Sequence, residues 1–348
     1  MPNPILTRAI EAVCSGQHLT VDHASAVVTE IMEGRASEVE TAGFLIGLRA
    51  KGETVPELIG VARTMRSLVE GVDVDVEGLV DTAGTGGGPT TFNVSTTAAL
   101  IAAAAGCPVA KHGNRSATSK SGSADLLEAL GVEIELGPEA VAECIREVGF
   151  GFMFAPLHHT AYRYVVPVRR GLGVRTIFNF LGPLTNPAGA RRQLVGLSDR
   201  RYQETMAEAL VGLECEHALV VCSDDGIDEL SLSARTRVIE VLDGGTEEWF
   251  VTPEEYGLRP APIDEVAGGE PEENAAITRA VFEGAEGPAR DLSLLNAGAA
   301  IYVGGRAVDL AAGVERAREV VDSGAATDLV GALAELSRRL GERSGQVH

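Results

Sequence analysis

Lysine is nearly absent. Only Lys51, Lys111 and Lys120 occur in 348 residues, and arginine supplies the other 26 basic side chains. Cysteine is scarce too: Cys14, Cys107, Cys144, Cys215 and Cys222 are an odd count with no Cys-x-x-Cys pair. That argues against a disulfide framework or a structural zinc site and favours a reducing cytosol. No apolar run is long enough to cross a bilayer, and Met1-Pro2-Asn3-Pro4 does not start like a signal peptide. The expectation is a cytoplasmic chain that neither spans a membrane nor is exported. Positive charge is outnumbered, with a formal net charge of −21. Such a chain repels nucleic acid and anionic lipid, so neither is expected as a partner. Scarce lysine and abundant carboxylates suit a salt-rich cytosol, although a GC-rich genome also favours arginine.

What is present is the balance of a globular protein, 45% hydrophobic and 23% charged, in a length that fits one large or two ordinary domains. Residues 3–71 read as short helices punctuated by Gly16, Gly34 and Gly52. From about residue 78 the pattern alternates. Strands are expected at 108–110, 132–136, 150–155 and 218–221 and around 230–241, with helices over 97–105, 123–130 and 138–148 between the earlier ones. Alternation of this kind predicts an α/β sheet with crossovers. Residues 157–190 are helical in character and broken by Pro183 and Pro187, so the chain is expected to return there to the helical part. Helices over 274–282, 293–302 and 307–340 close the chain, and 268–274 reads as a polar surface loop.

Four segments could carry chemistry. The first, Asp81-Thr82-Ala83-Gly84-Thr85-Gly86-Gly87-Gly88-Pro89-Thr90-Thr91-Phe92-Asn93-Val94-Ser95-Thr96, is a glycine loop whose Ser95 and Thr96 fall where a helix N-cap belongs. Backbone N–H groups there can approach an anion closely. It is neither a dinucleotide fingerprint nor a Walker A loop, since Pro89 stands where a third glycine belongs and no Gly-Lys-Ser/Thr follows.

The second, Lys111-His112-Gly113-Asn114-Arg115-Ser116-Ala117-Thr118-Ser119-Lys120-Ser121-Gly122-Ser123, gathers cations and hydroxyls before another helix. Those groups suit phosphate oxygens. Two successive units of this kind point to a ligand with phosphates at both ends. The third, Ser223-Asp224-Asp225-Gly226-Ile227-Asp228-Glu229, places carboxylates past a strand end, where a hard cation such as Mg²⁺ binds. The fourth carries Arg169, Arg170 and Arg175, which could grip a carboxylate or support a domain joint; His158 and His159 lie just before it.

Together these motifs closely resemble the anthranilate phosphoribosyltransferase family over nearly the whole chain, most specifically at 111–130 and 175–187. The resemblance implies an α/β fold of the nucleoside phosphorylase/phosphoribosyltransferase kind. A small all-helical domain (1–72, joined by about 160–190) would precede a larger α/β domain (73–348) with a mainly parallel central sheet. It implies transfer of the phosphoribosyl group of 5-phosphoribosyl-1-pyrophosphate (PRPP) to the amine of anthranilate, a step of tryptophan biosynthesis, by a homodimer using a pair of magnesium ions per chain. Anthranilate synthase would be a separate chain. Carried over by position, Gly84, Gly87, Gly88, Thr91, Asn93, Val94, Ser95, Thr96, Lys111 and Ser123 would contact PRPP, and His112, Gly113, Asn114, Arg115, Ser116, Ala117, Thr118 and Ser119 would wrap its phosphates. Gly84, His112, Asn114 and Arg169 would hold anthranilate. Ser95, Asp228 and Glu229 would bind magnesium. No residue is an obvious general base.

Two features depart from the family pattern. The usual Gly-Thr-Gly-Gly-Asp-Gly loop is one residue shorter here, most simply by loss of the Asp, so that Gly88 matches the last glycine. After His159 the usual Pro-Ala-Met-Lys is replaced by Thr160-Ala161-Tyr162-Arg163. The alternatives are a different aromatic acceptor or a pyrimidine nucleoside phosphorylase-like reaction, which needs no carboxylate grip.

Overall fold

Caps define the helical beginning of the chain. The computed structural model describes residues 1–116 and 120–345. Asn3 accepts the N–H groups of Ile5 and Leu6 at the start of α1 (Pro4–Cys14), and Thr20 accepts that of His23 at α2 (Val21–Met32). Ser37 and Glu40 cap α3 (Glu38–Lys51) reciprocally. Each cap satisfies donors that a helix start leaves unpaired. At α4 (Val55–Ser67) the fully buried Glu57 accepts N–H bonds from Thr54 and Leu19 and pairs with Lys51 at 2.9 Å. A carboxylate tolerates that burial only with such partners.

From Val80 the chain builds a seven-stranded sheet. The first half is β1 (Val80–Gly84), α5 (Val94–Ala104), β2 (Val109–Gly113), α6 (Ser123–Ala129), α7 (Pro138–Val148) and β3 (Phe150–Phe154). Two short helices, α8 (Ala155–His158) and α9 (Val166–Leu172), lead to β4 (Arg192–Gly196), α10 (Gln203–Gly212) and β5 (His217–Ser223). The hairpin β6 (Thr236–Leu242) and β7 (Gly245–Val251) precedes α11 (Pro271–Phe282), α12 (Pro288–Val303), α13 (Leu310–Asp322) and α14 (Ala325–Gly345). The spatial order is β3-β2-β1-β4-β5-β6-β7. Pairing is parallel from β3 through β5 and antiparallel beyond, so the sheet is mainly parallel.

Successive side chains on β4–β6 face opposite ways, as strand geometry requires. Leu194, Leu219, Val221 and Val238 pack with Leu295 and Ala299 of α12. Val195, Val220, Ile239 and Val241 pack into a core with α10 and with Leu45 and Leu58 of the first helices. Val165, Val168, Phe178 and Leu181, from the segment between β3 and β4, enter the same core.

Several expectations give way here. Residues 132–136 are not a strand: Val132, Ile134 and Leu136 are buried, but Glu133 N–H donates to Ser337 Oγ of α14 rather than to a strand. Alternate burial against a helix imitates a strand. The region around 230–241 holds one strand starting at Thr236, followed by the unforeseen β7, and the short, polar-flanked β4 was unforeseen too. Residues 268–274 are not a free surface loop: Asn274 is 2% exposed and belongs to α11. Finally, α5 has Asn93 at its cap position, which puts Ser95 and Thr96 in its first turn.

Candidate active site

Between β1 and β4 the strand order reverses, because the chain runs outward through β2 and β3 and then returns to β1's other side. The carboxyl ends of strands at such a reversal form a crevice where ligands bind. Gly84 and Gly196 pair at those two ends, and the glycine loop leaves from there. Asp228 Oδ2 accepts the Gly86 N–H at 2.7 Å. Arg175 Nη1 donates to Gly86 O at 2.7 Å and Nη2 to Thr85 O at 3.2 Å, while Ser198 Oγ donates to Gly86 O at 2.7 Å. A Cβ at Gly84 would collide with the Asp228 carboxylate, and one at Gly88 with the Gly226 carbonyl. Close approach of the loop to residues 226–228 thus requires glycine.

Lys111 lies on β2, 1% exposed. Its Nζ donates to Thr82 O at 2.6 Å and Thr82 Oγ1 at 3.1 Å, with Ser95 Oγ at 3.5 Å. Burial pushes its pKa down, and the charges of Asp81 and Glu229 oppose that. Glu229 is driven well above the usual carboxylate range by burial first and by Asp228 beside it, against the pull of Lys111. Two crowded carboxylates and a serine hydroxyl are hard oxygen donors that a divalent cation would relieve of repulsion. Ser95, Asp228 and Glu229 therefore fit Mg²⁺. Among the described residues no cluster of three or more His, Cys, Asp or Glu could hold a metal ion.

The neighbouring acids serve otherwise. Asp224 pairs with Arg200 and Arg235, and Asp225 accepts from Ser231, Ser233 and the Ile227 N–H. Thr96 is fully buried, so Ser95 is the hydroxyl of this pair that reaches Lys111. The Val94 N–H is spent on Phe92 O, and Thr91 bridges Ala267.

The second loop does not assemble three cations. Arg115 pairs with Asp125 and Glu128 of α6 and lies over the Phe154 ring; Lys120 pairs with Glu270 at 3.4 Å. Lys111 alone of the three is buried. Asn114 is exposed at the end of β2, with Oδ1 accepting the Arg115 N–H. Ser116 N–H donates to Asp125, and Ser123 opens α6 beside Gly113. Ala117, Thr118 and Ser119 lie outside the described residues.

The segment between β3 and β4 touches the crevice at both ends. His159 approaches His112, ring centroids 4.9 Å apart, whereas His158 turns to Glu70 O. Burial lowers the pKa of His112 to about 3 and of His159 to about 4. Both are neutral at pH 7, and His112 Nδ1–H is assigned as donor to Gly182 O at 3.2 Å. Arg169, in the last turn of α9, donates to Tyr162 Oη and lies over that ring, which meets Phe178 edge-on at 5.5 Å. Arg175 closes the segment against the glycine loop.

Sequence reasoning missed Asp81, Asn186 and Asn274. Asp81 is 1% exposed and accepts from His112 N–H and from Asn186 Nδ2 at 2.8 Å; Asn186 also donates to Ala110 O and accepts from Ala188 N–H. A carboxylate inside an apolar strand was the available signal for Asp81. A separate groove of about 550 Å³ lies at the other ends of β4 and β5, where Arg191 and Arg192 are paired with Glu216.

Comparison with known proteins gives one answer. The glycosyl transferase family, a/b domain, matches residues 76–327, and the glycosyl transferase family, helical bundle domain, matches residues 7–69. The anthranilate phosphoribosyltransferase of Halorhodospira halophila is 51% identical over 340 residues, 97% of this chain and 99% of that one. The crystal structure of anthranilate phosphoribosyltransferase from Thermus thermophilus aligns with a TM-score of 0.90 at 47% identity, over 95% of this chain and 99% of that one. The Saccharomyces cerevisiae enzyme, solved in complex with PRPP and Mg, shares the fold with a TM-score of 0.88 at 24% identity, over 96% and 98% of the two chains.

Proposed function

The chain belongs to the anthranilate phosphoribosyltransferase family, and from that premise we propose how its residues divide the work of joining PRPP to anthranilate with release of pyrophosphate. The observation that carries the assignment is the convergence of Lys111, Ser95, Asp228 and Glu229 opposite a glycine loop at the strand reversal. The loop's backbone and the start of α5 receive the donor's phosphates. Ser95, Asp228 and Glu229 would hold magnesium, on this reading a pair of ions, which would supply positive charge against the departing pyrophosphate. Lys111 and the loop N–H groups add fixed positive potential where negative charge develops, so the ribose can acquire oxocarbenium character.

Arg169 takes the anthranilate carboxylate, with Tyr162 holding its guanidinium. Asn114, Gly84 and neutral His112 line the acceptor's approach. The aryl amine is unprotonated at neutral pH and attacks the anomeric carbon as its bond to pyrophosphate breaks. The extra proton on the nitrogen of the new C–N bond passes to the released pyrophosphate or to water, so no residue need serve as base and alignment supplies much of the rate. We propose further a division near residue 72, with the 160–190 segment assigned to the helical part, and a cytoplasmic homodimer that receives anthranilate from a separate synthase chain. The five cysteines, all unpaired, support the compartment; no helix among the described residues is long and apolar enough to cross a membrane.

The test is stoichiometric. Purified protein given PRPP, anthranilate and Mg²⁺ releases one pyrophosphate per anthranilate consumed and leaves nucleosides with phosphate untouched. Phosphorolysis of a pyrimidine nucleoside, or transfer to other aromatic amines but not anthranilate, would overturn the proposal.

A further inference from the structure

Asn274 stands 181 residues from Asn93, yet its Nδ2 donates to Asn93 Oδ1 at 2.8 Å. Asn274 Oδ1 accepts the Gly269 N–H at 2.7 Å, and Asn93 Nδ2 donates to Ser121 O at 3.1 Å. Ser121 Oγ returns a bond to Asn93 Oδ1 at 2.9 Å. The polarity of this relay is not a matter of amide assignment. A backbone N–H stands at one end and a backbone carbonyl at the other, so each amide can face only one way. Three distant segments meet in it: the start of α5 with the glycine loop, the end of the second loop, and the approach to α11.

The same seam is closed by backbone contacts. Thr91 bridges Ala267, the Phe92 N–H donates to Val266 O at 3.0 Å, and a Cβ on Gly268 would strike the Thr91 carbonyl and the Phe92 backbone. Lys120 reaches Glu270 on the surface. Asn93 Oδ1 already accepts two bonds, its full capacity. Its carbonyl is therefore committed to joining the loops.

We infer that Asn274 is a positioning residue for the phosphoribosyl donor: through Asn93 it fixes the start of α5, with the glycine loop before it, relative to Ser121 and the start of α6. The inference rests on the reading that the glycine loop and the 111–123 loop hold PRPP. Asn274→Asp is the discriminating change. It keeps the shape and the acceptor for Gly269 but sets an oxygen against Asn93 Oδ1. Asn93 must then rotate, and rotation sets its Oδ1 against Ser121 O, breaking that bond and leaving only the hydroxyl of Ser121, turned from donor to acceptor, to meet it.

The experiment measures the KM of each substrate, and calorimetric binding of PRPP with Mg²⁺, for the wild type, Asn274→Asp and a stability control. The control is Thr278→Val, which removes the Thr278–Thr97 hydroxyl bond one turn further along α11. Asn274→Asp should raise the PRPP KM and Kd about tenfold, as expected for losing a buried joint worth one or two hydrogen bonds, while the anthranilate KM stays within about twofold. Thr278→Val should lower Tm and leave both KM values alone. An unchanged PRPP KM in Asn274→Asp, or an equal rise for both substrates, overturns the relay. A wild type that neither binds nor uses PRPP overturns instead the reading beneath it. Should Asn274→Asp fail to fold, Asn274→Ser, which cannot span both partners, is read against the same outcomes.

Discussion

Arg175 and Asp228 hold the same residue by its two backbone polar groups: Arg175 Nη1 donates to the Gly86 carbonyl while Asp228 Oδ2 accepts the Gly86 N–H, each at 2.7 Å. One partner lies on the segment that carries Arg169. The other is a candidate magnesium ligand. The glycine loop is thus tied at one residue to both halves of the proposed reaction, and Arg49 of α3 donates to the Arg175 carbonyl behind it.

Arg175→Lys keeps the charge but loses the planar fork that spans Thr85 O and Gly86 O. The expected result is a rise of about three- to tenfold in the PRPP KM with a smaller change for anthranilate. Initial rates at varied concentrations of each substrate check it.

Arg169→Ala should raise the anthranilate KM by about tenfold or more and leave the PRPP KM nearly unchanged, because a carboxylate loses a charge-assisted partner. Tyr162→Phe removes the hydroxyl that holds Arg169 and should show a weaker effect of the same kind. Equal effects on both substrates would point to a domain joint instead.

Asp228→Asn combined with Glu229→Gln should move the magnesium activation curve to higher concentration. The double change removes the buried carboxyl and the like-charge crowding that together raise Glu229, so it should also leave Tm in metal-free buffer unchanged or higher. Rates across a magnesium series and melting curves in chelator test both parts.

The share of stability that depends on the neutral histidines should fall as the solution is acidified from neutrality, against the opposite trend of Asp81 and Glu229, whose raised carboxyls take up protons on folding. His112 and His159 have folded pKa values lowered to about 3 and about 4 from a usual 6.5. Between those values and 6.5 the unfolded chain binds protons that the folded chain refuses, so this share rises with pH through that window and is complete above it. Each histidine contributes a slope of at most about 1.4 kcal/mol per pH unit. Melting temperatures from pH 7 to pH 5 should show the loss as a decline of the wild type relative to His159→Asn.

Much of this was readable in advance where the signal is local. The glycine loop and the run from Lys111 are contiguous, so the phosphate chemistry proposed for them is suggested by a few adjacent letters. Asp228 and Glu229 were visible as acids past a strand, but so were Asp224 and Asp225. Only the third dimension shows that the latter pair is spent on Arg200, Arg235, Ser231 and Ser233. Arg115 and Lys120 read as phosphate ligands from the sequence, and the structure sets Asp125, Glu128 and Glu270 beside them, carboxylates the sequence did not place there. Asn274 and Asn186 escaped because their partners, Asn93 and Asp81, are distant in sequence. The 132–136 segment misled because alternate burial against α14 has a strand's period.

The most direct test of the account is a calorimetric titration of PRPP into the wild-type chain and into Lys111→Ala, each with Mg²⁺ and with chelator. The predicted result is one donor site per chain in the wild type, strengthened by Mg²⁺ and weakened strongly in a folded Lys111→Ala. Donor binding indifferent to both the metal and the loss of Lys111 would contradict the placement of the donor between the glycine loop and Glu229.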